Sequence, residues 1–289
     1  MAYKIVVTDL DGTLLNDEKK ISDKDVNMLN KLNNNGVKIV IATGRNYFMA
    51  KKLTEQIKNI NPIILANNGA VVRKPKTDEL IEYNYLDANI FDEIYKHGIK
   101  YNLYPVIHVD EYENGYDMIY EQEKMEEVYL GYVKKDDLRA KFVKFKPTEI
   151  KNILSVCYLE EFNKLDEFSK EMNELNIGQF NIICNRNINK RALLEFLHVD
   201  GCKWRALKKY IESINIKSCE IISFGDDNND LELIINSGMG ISMKNGTENC
   251  IMAAKKVSKF DNNNSGVSYE LSKLFNIDWN NNKYVHIFP

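Results

Sequence analysis

Three clusters in the chain combine residue types that could do chemistry. Asp9-Leu10-Asp11-Gly12-Thr13 sets two carboxylates two residues apart, Thr43-Gly44-Arg45 offers a hydroxyl beside a flexible turn, and Gly225-Asp226-Asp227-Asn228-Asn229-Asp230 is rich in acids and amides. Carboxylates that converge repel one another unless a cation lies among them. An all-oxygen ligand set favours a hard ion, and Mg2+ is the expected one. Lys203 adds a cation at the start of an expected helix, where the helix dipole disfavours positive charge unless an anion is bound in front of it. Thr43 and Gly44 supply a hydroxyl and backbone N–H groups suited to phosphate oxygens. A metal, a cation and an anion-binding turn together point to phosphate chemistry. Each piece alone has a plainer use: an Asp after a strand commonly caps a helix or turn, which suits Asp227 or Asn228, and a lysine at a helix start is commonly solvated.

The clusters gain meaning from the elements that must position them. Lys4-Ile5-Val6-Val7-Thr8, Val37 to Ala42 and Pro62 to Ala66 are compact apolar runs that read as buried strands. Between them the spacing predicts a helix opened by Ser22-x-x-Asp25 and stopped at Gly36, and a second from Asn46 to Ile57. Strands alternating with such helices imply a parallel sheet flanked by helices, with ligands bound beyond the carboxyl ends of its strands. The alternation breaks after Asn68-Gly69-Ala70, where Ala70–Val72 and Leu80–Tyr83 predict a hairpin. Residues 84–189 mix helical segments (Ile90 to Tyr101, Phe162 to Leu175) with strands (Pro105 to Val109, Ile153 to Leu159, Gln179 to Cys184) and read as an inserted α+β unit. Alternation returns with a helix Lys203 to Ile214, a strand Glu220 to Phe224, a helix Asn228 to Ile235, a strand Met239 to Ile241 and two closing helices. The expected division is a discontinuous core, 1–83 with 190–289, interrupted by 84–189.

With 289 residues, 44% hydrophobic and 28% charged, the composition is that of a globular protein of about two domains. A net charge of −3 gives no positive field for a nucleic-acid partner. The apolar runs are strand-length, short of the ~20 residues a bilayer span needs, and Met1 to Lys4 lead straight into a strand with no room for a signal peptide, so a cytoplasmic protein is expected. Five cysteines without a CxxC pair suggest buried or semi-buried thiols, neither disulfides nor a zinc site. All four histidines fall outside the clusters.

Asp9-x-Asp11-Gly12-Thr13, Ala42-Thr43-Gly44-Arg45, Asn68-Gly69-Ala70, Lys203 and Gly225-Asp226-x-x-Asn229-Asp230, in this order, resemble the haloacid dehalogenase superfamily. The size of the insert is similar to that of its Cof-type phosphatases with a large α+β cap of type C2B. The resemblance extends to Ser237-Gly238-Met239-Gly240-Ile241 and Asn264-Ser265-Gly266-Val267. It implies a Rossmannoid α/β core with a cap that shapes substrate choice. Asp9 would be the nucleophile and form an aspartyl-phosphate. Asp11 would protonate the leaving group and then activate water, a role that calls for partial protonation near neutral pH. Mg2+ would be held by Asp9, the Asp11 carbonyl and Asp226, with Asp230 assisting directly or through water. Thr43, Gly44, Lys203 and Asn229 would hold the phosphoryl group.

Arg45, Asn68 and Arg186 are candidate substrate contacts, Arg186 with Asn185 and Asn187 because they follow the last expected strand of the insert. Arg45 equally suits a pairing with a core carboxylate. Tyr101, Tyr104, Tyr112 and Tyr116 could stack on a ring-bearing substrate or fill a core. Two positions depart from the family pattern: Trp204 follows the lysine where a small residue is usual, which we read as packing, and Asn245 precedes Gly246, read as affecting a helix start. The implied activity is a Mg2+-dependent phosphatase of small phosphorylated metabolites, sugar phosphates or cofactor phosphates such as FMN or pyridoxal phosphate. The alternatives are a phosphomutase and a non-catalytic phosphometabolite-binding protein; a dinucleotide-dependent dehydrogenase is disfavoured because no G-x-G-x-x-G follows the first strand. A monomer or homodimer is expected.

Overall fold

A computed structural model describes residues 3–121, 139–175, 178–188 and 191–279, the side chains of 185–188 excepted. Chain order gives strands β1 (Ile5–Thr8), β2 (Lys38–Ala42), β3 (Ile63–Ala66), β4 (Val71–Lys74), β5 (Glu79–Tyr83), β6 (Val106–Glu111), β7 (Tyr116–Tyr120), β8 (Ala140–Phe142), β9 (Ile153–Glu160), β10 (Phe180–Ile188), β11 (Arg191–His198), β12 (Ile221–Gly225), β13 (Met239–Ser242) and β14 (Lys256–Val257). They form two compact units, one of residues 1–82 with 203–289 and one of residues 83–202.

In the first unit the sheet order is β14-β13-β12-β1-β2-β3-β4-β5. From β14 to β3 every pairing is parallel, and β4 runs antiparallel to β3. β1 is central, and Ile5, Val6 and Val7 are fully buried. A strand covered on both faces needs apolar side chains at every position, which is why these runs show no alternation. The helix Asp23–Asn34 begins at Ser22, whose side chain accepts from the Asp25 N–H, and packs with the helix Gly266–Leu274. The helix Lys203–Ser213 packs with Leu231–Asn236. Trp204 is buried, in keeping with a packing role. No helix among the described residues is long and apolar enough to cross a membrane.

The second unit holds a six-stranded sheet in the order β10-β11-β9-β6-β7-β8. Helices Ala88–Lys100 and Phe162–Leu175 contribute Phe91, Ile94, Leu165 and Phe168 to a core with Val156, Tyr158, Leu194 and Phe196. The sequence boundary at 189/190 is corrected here. β11 pairs antiparallel with both β10 and β9, so residues 191–198 belong to the insert's sheet and not to the core. Asn185, Arg186 and Asn187 likewise do not follow the last strand of the insert; they lie within β10, beside a register shift at Arg186/Ile188. The side chain of Arg186 lies outside the described set. Of the four tyrosines, Tyr101 and Tyr116 pack against the unit's own core. Tyr101 donates to Glu171 (2.6 Å) and packs on Phe168, Tyr104 donates to Asn102, and Tyr112 and Tyr116 stand under Arg139 and Lys141.

His108 on β6 is buried, and burial pushes its imidazole down to about 4 from the ordinary 6.5. The unfolded chain therefore takes up a proton below pH 6.5 that the folded chain refuses. Stability from this residue is complete above pH 6.5 and falls by about 3 kcal/mol as the pH drops to about 4. Urea unfolding at pH 7.5 and 4.5 should show His108→Gln losing less stability with acid than wild type, by a margin of that order. Equal losses would remove His108 as an acid-sensitive position.

Candidate active site

The site is built by register. Thr8 pairs with Phe224 on one side and Ile41 on the other, and Ala42 pairs with Leu65, so β1, β12, β2 and β3 end together. The residues that follow them, Asp9, Asp226, Thr43 and Asn67-Asn68, emerge at one edge. Main-chain bonds lock the loops: the Asp9 N–H donates to the Phe224 carbonyl (3.1 Å), Thr43 N–H to Leu65 (2.9 Å), Asn67 N–H to Arg45 (2.9 Å) and Asn68 N–H to Thr43 (2.9 Å).

Lys203, the first residue of its helix, is buried with its ammonium donating to Asp9 Oδ1 (3.0 Å) and Asp230 Oδ1 (2.8 Å). Two buried carboxylates at its tip explain how a lysine is tolerated at a helix start. Burial pushes Asp9 well above the usual carboxylate range, Lys203 pulls it down, and Asp230 and Asp226 push it up again. Asp226 is raised to about 7 by burial and by Asp230, against the Thr13 hydroxyl that donates to its Oδ1 (2.7 Å). Asp230 Oδ2 accepts from the N–H groups of Asp226 (3.1 Å) and Asp227 (3.3 Å). Asp227 accepts from the Asn228 N–H, the capping use expected of it.

Asp9, Asp226 and Asp230 each present an oxygen within 4.8 Å of the others. Carboxylates held this close, with two raised by burial and mutual repulsion, fit a hard divalent cation. Both oxygens of Asp230 already accept hydrogen bonds, which leaves Asp9 and Asp226 as the more available donors. Gly12 makes the room: at φ +74°, a side-chain carbon there would lie 2.2 Å from Asp226 Oδ2.

Asp11 stands apart from this trio. It accepts from Arg45 Nε (2.5 Å) and Nη2 (2.7 Å) and from Lys19 Nζ (2.7 Å). Burial raises its pKa, but the hydrogen bonds and charges of Arg45 and Lys19 outweigh burial and leave it below the ordinary value. The expectation of a partly protonated Asp11 is thereby corrected for this arrangement, and of the two uses weighed for Arg45 the structure realises the carboxylate pairing. Asn229 Nδ2 donates to Asn68 Oδ1 (2.9 Å), which joins the 226–230 loop to the turn after β3.

Several contacts escaped sequence reading. Lys19 reaches Asp11 because the chain turns back at 16–20, where Lys19 N–H donates to Asn16 and Asn16 N–H to Lys20. Asn245 does not start a helix; Thr247 caps that helix, while Asn245 donates to the Gly12 carbonyl (2.8 Å) and accepts from the Asn262 N–H (3.2 Å). The signal for Asn245 was its departure from the family pattern; for Lys19 there was none.

Comparison with known proteins places this geometry. The haloacid dehalogenase-like hydrolase family profile matches residues 6–271. A 5-amino-6-(5-phospho-D-ribitylamino)uracil phosphatase of Bacillus subtilis is 26% identical over 94% of this chain and 98% of its own. A solved haloacid dehalogenase-like hydrolase from Bacteroides thetaiotaomicron superposes with TM-score 0.78 at 23% identity, covering 94% of this chain and all of that one. A sugar phosphatase of subclass IIB superposes with TM-score 0.76 at 20% identity over 94% and 98% of the two chains. With the family profile covering nearly the whole chain and the strand-end carboxylates gathered as described, the protein belongs to the haloacid dehalogenase-like hydrolase family.

Proposed function

We propose that the protein is a Mg2+-dependent phosphatase that hydrolyses phosphate monoesters of small metabolites through an aspartyl-phosphate on Asp9. The observation that carries this reading is the buried Asp9 carboxylate held 3.0 Å from Lys203, beside Asp226 and Asp230. Relatives named as a phosphatase of a phosphoribitylamino-uracil and as a sugar phosphatase support the substrate class.

In this mechanism Lys203 opposes the burial that raises the Asp9 pKa and orients the carboxylate. An Asp9 oxygen forms a bond to phosphorus as the ester P–O bond breaks, and the departing alkoxide takes a proton from Asp11. Asp11 then draws a proton from water as that water attacks the acyl phosphate, releasing inorganic phosphate and restoring Asp9. For Asp11 to carry a proton, its contacts with Arg45 and Lys19 must open, and an incoming phosphate is a competing partner for both cations. Lys203, Thr43, the backbone N–H groups at Gly44, and Asn229 hold the phosphoryl oxygens as charge develops. Asp9, Asp226 and the Asp11 carbonyl would hold Mg2+, with support from Asp230, and the ion would supply neutralisation of phosphoryl charge and alignment of the ester.

The test is turnover of an aryl phosphate with Mg2+ and with chelator. Activity that disappears with chelator and returns with Mg2+ supports the reading, and activity indifferent to the metal overturns it. Gly12→Ala should act on the same axis. The new methyl must displace the Asp226 carboxylate, and the left-handed backbone costs a non-glycine residue about 1–2 kcal/mol. We expect the Mg2+ concentration for half-activation to rise about tenfold or more. An unchanged Mg2+ titration would dissociate Asp226 from the metal.

A further inference from the structure

We propose that Asn68 is a positioning residue that makes Asn229 and the Thr43-Gly44 turn one preorganised anion-binding surface; this deepens, and rests on, the phosphatase reading above. The turn after β3 has an unusual backbone. Asn67, Asn68 and Gly69 take φ of +47°, +55° and +88° in succession. Left-handed residues normally occur singly, with glycine and asparagine the types that tolerate them. Reversing the chain into an antiparallel neighbour requires only a two-residue turn, so direction alone does not account for a run of three.

What the run achieves is placement of the Asn68 side chain. The turn is clamped to the β2 loop by the bonds from Asn67 and Asn68 N–H to the carbonyls of Arg45 and Thr43. The buried Asn68 amide lies between two other strand-end loops: its Oδ1 accepts from Asn229 Nδ2 at 2.9 Å and lies 3.3 Å from where a side-chain carbon on Gly44 would be. Gly44 itself has no left-handed backbone, so its lack of a side chain serves to admit Asn68. The bond from Asn229 uses one of its two amide N–H groups and fixes the plane of the other. Three segments far apart in sequence thus present their donors in one fixed arrangement, and a rigid donor set spends no energy on reorganising when the anion arrives. Asn68, a candidate substrate contact in the sequence, acts here through Asn229 and Gly44.

The experiment compares wild type with Asn68→Gly, Asn229→Ala and the double variant, using inorganic phosphate with Mg2+ as the probe. Glycine at 68 keeps the left-handed backbone and removes only the amide. Phosphate affinity is read by calorimetry and by competitive inhibition of aryl-phosphate turnover, and folding by the melting temperature. Each single change should weaken phosphate about tenfold with the melting temperature unchanged, and the double variant should bind no more weakly than Asn229→Ala. Multiplicative losses in the double variant, or unchanged phosphate affinity in Asn68→Gly, overturn the proposal. If Asn68→Gly folds poorly, Gly44→Ala is the second variant: its methyl crowds the Asn68 amide and should weaken phosphate in the same way, and full affinity there overturns the proposal. A wild type that binds phosphate but hydrolyses no ester refutes the phosphatase reading while calorimetry still decides the role of Asn68. A wild type that binds no phosphate refutes both.

Discussion

Asp9→Asn is expected to lower turnover of any phosphate ester by at least about 10⁴-fold, the scale seen when an enzyme loses its nucleophile. The fold should survive. Asparagine is nearly isosteric, Lys203 keeps Asp230 as a partner at 2.8 Å, and one of several mutually repelling buried carboxylates is gone. The melting temperature should therefore stay at or above the wild-type value while activity is lost, a separation that a merely structural residue would not give. Mass spectrometry of the rapidly quenched protein should find one added phosphoryl group on wild type and none on the variant. Residual turnover above about 1% of wild type would place the nucleophile elsewhere.

The second large effect falls on stability. Lys203→Met leaves Asp9 and Asp230 buried without their shared cation, and removing one partner of such a cluster costs about 3–5 kcal/mol. For a chain of this size that corresponds to a fall on the order of 10 °C in melting temperature. The sign of the pH dependence follows from the cause. Burial raises the Asp9 pKa and Lys203 opposes it, so without the lysine the Asp9 carboxyl binds its proton still more tightly in the folded state than in the unfolded chain. The stability deficit should narrow as the pH falls from neutral towards the ordinary carboxylate range. Mg2+, by binding the folded state, should restore part of it. A variant that melts within about 2 °C of wild type at neutral pH would show that the pair contributes far less than its burial implies.

Asp9 and the acidic loop at Asp226 were legible in the sequence because each follows an apolar run too short and too continuous to be anything but a buried strand, and Lys203 because a lysine at a helix start calls for an anion in front of it. Position at a strand end, more than residue type, gave Asp9 and Asp226 away. The end of the insert was not legible for the same reason turned round. β11 is buried from Ala192 to Leu197, and an unbroken run shows that a strand is covered on both faces without showing which sheet it joins. That choice is made by pairing with β9 and β10, which no local pattern encodes. Lys19 was hidden because its charge reaches Asp11 through a turn, and periodicity reports faces of helices and strands, not the reach of a flexible side chain from a loop. Asp11 shows the limit of inferring protonation from role: its neighbours Arg45 and Lys19 set the proton affinity, and they are contributed by different loops.

The order of strands in the first sheet also bears on how the chain is made. β1 lies between β2, thirty residues downstream, and β12, which begins at Ile221 after the whole second unit. During synthesis the edge of β1 that will carry β12 stays open until the ribosome has passed residue 225, and Lys203 arrives almost as late to meet Asp9. The insert has all its own strands before then and can complete its sheet first. The core closes last, around its central strand. An apolar edge left waiting that long is where a nascent chain of this protein is most exposed to mispairing with another.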